Sequence, residues 1–220
     1  RRRRRMPSFP MPFPQMIVPP EPTQARSKQA FERLLLVGEQ LLAENRFDEI
    51  GVADLAKLAE TSVGTFYRLL GDKDTLSRLL LQRFFSDMVE KVETLTELRQ
   101  WEGRSLEDFI RAMVAMFVAV NGGRSGVLRA LITRASQDAQ FRDRVHQINH
   151  LISQRTVAVL ASKSSSIRHP NPTQAMMVVP PVLLGILNQH TLTGSLSFLS
   201  GAALEDELVR VALNYLTSDI

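Results

Sequence analysis

Residues 61–76 read TSVGTFYRLLGDKDTL and gather hydrogen-bond donors around a glycine. Ser62, Thr65 and Tyr67 carry hydroxyls, Arg68 a guanidinium and Lys73 an ammonium. Phosphate oxygens and guanine edges accept from such groups. Gly64 puts no side chain in the way of a closely approaching ligand. Ser62 is placed to cap a helix. Lys73 opens the next one, where a cation beside free N–H groups makes an anion site. The stretch is too short and too polar for a core helix.

The elements around it follow from periodicity. Phe31, Leu34, Leu35, Gly38, Leu41 and Leu42 fall three and four apart, one face of a helix from about residue 25, ended by Asn45 and Phe47-Asp48. Val52, Leu55, Ala56 and Ala59 mark a second helix over 51–59, and residues 62–69 a third. Asp72 precedes Leu76, Leu79, Leu80, Phe84 and Met88, which predicts an N-cap and a long fourth helix. Leu106 to Val120 form the clearest amphipathic stripe, stopped by Asn121-Gly122-Gly123. Helices are expected at about 125–135, 138–161, 173–192 and 202–217, with a loop through His169-Pro170-Asn171-Pro172. Pro180-Pro181 should kink the helix that holds them. No strand pattern appears, so the fold class is all-α.

Two short helices joined by a tight turn have helix-turn-helix geometry, whose second helix enters the DNA major groove. VADLAKLAETSVGTFYRLLGDKDTL resembles the DNA-binding signature of the TetR (tetracycline repressor-like) family of regulators. The resemblance covers about residues 26–91 and rests on the spacing of Gly64, Thr65, Tyr67 and Lys73. It implies an N-terminal three-helix DNA-binding domain over 23–70 and a connecting helix over 71–94. Residues 95–220 would then be a larger effector-binding and dimerisation domain. Arg26, Lys28, Gly51, Ser62, Val63, Gly64, Thr65, Tyr67, Arg68 and Lys73 are the implied DNA-contact positions. Phe66 is expected in the core and Tyr67 toward DNA. Arg26 and Lys28 either reach phosphate or simply begin a polar helix.

Four positions depart from the family pattern. Glu60 stands where a turn glycine is common, Gly51 where a Ser or Thr begins the second helix, Val63 where Lys is common, and Leu70 where a Phe is. Glu60 implies strain if the turn needs a left-handed backbone.

The net charge of +4 is accounted for by Arg1–Arg5 against Glu21, so the remainder is neutral and residues 23–91 carry −1. Residues 1–22 are expected to be a disordered, Pro-rich leader. Its Arg run is either a tag ahead of Met6 or a basic arm on nucleic acid. There is no Cys, so disulfides and thiolate metal sites are excluded. No apolar run reaches the roughly 20 residues of a membrane span. His146 and His150 have metal-ligand spacing, but the four histidines are scattered and no metal or cofactor is expected. Neither a Gly-x-Ser-x-Gly elbow nor a phosphate loop occurs, which points away from an enzyme.

The resemblance implies a cytoplasmic, nucleoid-associated bacterial regulator, a repressor released by a small apolar or amphipathic effector. The partners would be a near-palindromic double-stranded operator and a second copy joined through 173–192 and 202–217. The implied pocket is lined by Phe109, Met113, Met116, Phe117, Leu131, Ile148, Met176, Met177, Pro180 and Leu184. The alternatives are a regulator without a small-molecule effector, or a carrier or enzyme whose helix-turn-helix is only structural.

Overall fold

The six apolar positions of the first stripe are all buried on one face of α1 (Ala25–Ala43) in the computed structural model, which describes residues 21–218. The Arg run and the leader through residue 20 lie outside the described residues. The helices α2 (Val52–Leu58), α3 (Val63–Leu70), α4 (Lys73–Leu95), α5 (Leu106–Gly123), α6 (Ser125–Gln137), α7 (Ala139–Ala161), α8 (Pro172–Thr193) and α9 (Gly201–Thr217) follow. No strand occurs among the described residues.

Caps set the helix starts. Asp72 accepts from the Thr75 N–H at 2.6 Å, as expected of an N-cap. Ser105 and Asp108 close a reciprocal capping box at α5. Asp138, Asn171 and Ser200 cap α7, α8 and α9 through their side chains. Helix α5 runs through Asn121-Gly122-Gly123 rather than stopping there, and Arg124 alone separates it from α6. Neither glycine takes the positive φ that terminates a helix. A short 3-10 turn, Ser164–Ser166, interrupts the expected loop before α8. Helix α8 continues across Pro180-Pro181. Another 3-10 turn at Leu98–Trp101, absent from the sequence reading, buries Trp101 edge-on against Phe109 at 5.0 Å.

One continuous apolar cluster extends from Ala30 to Leu216. Helix α5 packs on α8 and α9, α7 packs on α8, and α1 packs on both α4 and α6. Two glycines permit the last of these arrangements. A Cβ on Gly38 would sit 3.1 Å from Leu76 and Leu80 of α4. One on Gly126 would sit 2.3 Å from the Ala43 backbone nitrogen. The end of α1 therefore lies backbone to backbone against the start of α6. Among the described residues, α8 is the one helix long and apolar enough to cross a membrane, and only 33% of that window is buried.

Candidate nucleic-acid interface

Three helices build this face. Between α2 and α3 the chain turns through Glu60, whose φ of 47° lies in the left-handed region. This is the strained backbone expected of a non-glycine residue at that position. Arg33 of α1 holds the turn: its Nε donates to the Ala59 carbonyl at 2.9 Å and its Nη2 to the Glu60 carbonyl at 3.2 Å. Nothing local in the sequence marks Arg33, because its partners lie 26 and 27 positions away.

On α3 the inner face is Phe66, Leu69 and Leu70, with Phe66 fully buried. Tyr67 is 53% exposed and stands edge-on to Phe66 with centroids 5.6 Å apart. Ser62, Val63, Gly64 and Arg68 are exposed beside it, and Thr65 is half-buried. The Ser62 hydroxyl is already engaged. It accepts from the Thr65 N–H at 3.1 Å and donates to Thr65 Oγ1 at 2.9 Å. Each hydroxyl has one proton, so the pair keeps one O–H free to donate.

Arg68 Nη1 lies 3.5 Å from Ser27 Oγ, which brings the first turn of α1 against α3. Arg26 and Lys28 flank Ser27 and are exposed, so these three cations lie around one contact between α1 and α3. Gly51 is the exposed N-cap of α2 and offers no side-chain acceptor. Lys73 stands apart from this group. Its ammonium donates to the carbonyls of Ile50 at 2.9 Å and Asp48 at 3.3 Å and lies 5.0 Å from the centre of the Phe47 ring. In this conformation it caps the loop before α2 instead of offering a free cation. Asp72, whose carboxyl is held below its usual range by hydrogen bonds from Thr75, also sets a negative charge at the start of α4.

The candidate pocket residues come from α5, α6, α7 and α8, which pack together. Phe109, Met113 and Phe117 are fully buried, and Leu131, Ile148, Met176 and Pro180 are buried. Met116 and Leu184 are half-buried. Met177 is the exception at 55% exposure, because one helical step rotates it about 100° from its buried neighbour Met176. His146 and His150 are exposed on α7, and no group of three potential metal ligands forms among the described residues.

Side chains of α6 and its cap tie α1 and α4 to the rest of the bundle. Arg124 pairs with Glu39 of α1 and with Asp87 of α4 at 2.7 Å. Arg129 donates to the Ala43 carbonyl at 2.9 Å and to Asn45 Oδ1 at 3.1 Å. Arg134 meets Asp74 of α4 at 2.7 Å. A cleft of about 660 Å³ opens along this seam, lined by Asp48, Lys73, Asp74, Arg129 and Arg134 among others. The sequence reading missed these arginines, whose partners are set by packing rather than by spacing.

An all-helical chain with this turn, this buried Phe66 and this exposed Tyr67 is a helix-turn-helix protein with a helical body. Residues 105–216 match the family model described as "Tetracyclin repressor-like, C-terminal domain". The chain belongs to the tetracycline-repressor-like family of transcriptional regulators. It is 35% identical over 69 residues to the HTH-type transcriptional repressor NemR of Escherichia coli K12, covering 31% of this chain and 33% of that protein. The chain thus spans about a third of the length of the curated relatives it matches. A TetR-family regulator from Mesorhizobium loti has a similar fold: the TM-score is 0.67 at 20% identity, covering 88% of this chain and 98% of the other. FadR of Bacillus subtilis, solved with stearoyl-CoA, gives a TM-score of 0.61 at 15% identity, covering 86% and 99%.

Proposed function

We propose that the protein is a sequence-specific, homodimeric DNA-binding repressor, with residues 23–70 as its head, that a small apolar or amphipathic effector releases from its operator. The observation that carries this reading is the division of α3. Phe66, Leu69 and Leu70 anchor it, while Tyr67, Arg68 and one O–H of the Ser62 and Thr65 pair remain for DNA. Two such helices about one turn of DNA apart, roughly 34–36 Å, suit a near-palindromic site. The setting is the cytoplasm, on DNA.

Release would run through α6. Residues of the candidate pocket lie on α5, α6, α7 and α8, and α6 holds α1 and α4 by Arg124, Arg129 and Arg134. A ligand that displaces α6 moves the head, and about 1–3 kcal/mol of coupling suffices. Entry requires moving buried side chains, and the methionines Met113 and Met176 yield readily because they have several rotatable bonds. That the FadR neighbour was solved with stearoyl-CoA supports an amphipathic class.

A second reading, a regulator whose body takes no small molecule, is favoured by the complete burial of Phe109, Met113 and Phe117. Selection from random DNA duplexes tests the common part. An enriched palindrome is expected, and a folded dimer that enriches nothing would refute it. Screening fatty acids and acyl thioesters for release from that operator separates the two readings.

A further inference from the structure

Val63 is the first residue of α3 and is 41% exposed. It lies one helical repeat before Tyr67, so the two share the outward face. Single exposed valines are ordinary on a protein surface. This one occupies the turn that meets base edges in a recognition helix, and the residues on either side of it, Ser62 and Gly64, offer those bases little. Ser62 shares one hydroxyl–hydroxyl hydrogen bond with Thr65, and Gly64 has no side chain.

Gly64 gives a second indication. A Cβ there would meet only Ser62 Oγ, at an ordinary 3.9 Å, and its φ is not positive. The fold itself therefore does not require glycine, although glycine inside a helix is destabilising. What it permits is close approach from outside, beside Val63.

The major groove presents acceptors, amino donors and one apolar group, the 5-methyl of thymine. An isopropyl group packed against any polar edge would leave that edge unpaired. We propose that Val63 reads thymine: its methyls contact the 5-methyl of one thymine in each half-site. This assignment rests on the reading of α3 as the DNA-reading helix. It also follows that the head, within a stretch of charge −1 over residues 23–91 that includes most of α4, takes part of its specificity from apolar contact.

The test is methyl deletion. In the operator recovered from the random pool, each thymine is replaced in turn by deoxyuridine, which removes the 5-methyl and leaves every hydrogen-bonding group. Affinity is measured for the full-length protein and for Val63→Ala. The substitution is at an exposed site, and circular dichroism checks that the fold is retained. At one position per half-site the wild type should lose about fourfold, the worth of one buried methyl. Val63→Ala should lose nothing further there and keep its sensitivity elsewhere. Identical uridine profiles for the two proteins would overturn the assignment while leaving the DNA-binding reading intact. A pool that enriches no operator would overturn both.

Discussion

At the scale of single residues, the α3 surface separates groups that hold the fold from groups left for a partner. Tyr67 is largely exposed and meets the buried Phe66 edge-on, so Tyr67→Ala should cost little stability. Its operator affinity should fall by about 1–3 kcal/mol in fluorescence anisotropy. Unchanged affinity would remove Tyr67 from the interface. Gly64→Ala should separate stability from function: stability rises by about 0.5–1 kcal/mol of helix propensity, read as a higher melting temperature, while operator binding weakens. Glu60→Gly acts on the turn. It removes an unfavourable left-handed conformation, and thermal unfolding should show a gain of up to about 1 kcal/mol, since glycine's own entropy offsets part of the relief.

At the scale of elements, the contact between α1 and α6 leaves no room for a side chain at Gly126. The Cβ of Gly126→Ala would fall on the Ala43 backbone, which no side-chain rotation can clear. About 1–3 kcal/mol of stability should be lost in urea unfolding, and operator affinity should change with it if α6 carries the coupling. Two carboxylates predict a pH dependence: Glu32 of α1, which Arg83 of α4 meets at 2.8 Å, and Asp72, the cap of α4. Glu32 is held below its usual carboxylate range first by hydrogen bonds from Arg83, and Asp72 by those from Thr75. Both native values are lowered, so the unfolded chain takes up protons first as pH falls. The stability they contribute is present above about pH 4.5 and is lost as pH drops through the native values. Urea midpoints measured down this range should fall less for Glu32→Gln with Asp72→Asn than for wild type.

At the scale of the whole molecule, α8 and α9 expose Met177, Val182, Val211 and, beside His169, Tyr215 among the described residues. In the proposed dimer, a second copy pairing these helices would bury them. Val182→Glu with Val211→Glu should therefore shift sedimentation from dimer toward monomer and weaken binding to a two-half-site operator. Charge is also distributed at this scale. Since residues 1–22 hold the whole excess of +4, deleting them should flatten the dependence of log affinity on log salt. An unchanged slope would place the phosphate contacts elsewhere.

Short-range features were legible in the amino-acid order. The apolar stripe of α1, the caps at Ser62 and Asp72, and the opposite fates of Phe66 and Tyr67 depend on neighbours within one or two helical turns. The strain at Glu60 follows instead from the resemblance, which puts a glycine in the turn where this chain carries a Cβ, and the positive φ there agrees with it. Only the tertiary structure decided where the long cations go. Lys73 looks like a phosphate ligand by its place before a helix, yet carbonyls 23 and 25 positions earlier hold its ammonium. Arg33, Arg124, Arg129 and Arg134 are ordinary helix-surface residues in one dimension and become the ties of the bundle in three. Their flexible chains reach whatever acceptor packing brings near, and spacing along the chain carries no record of that choice.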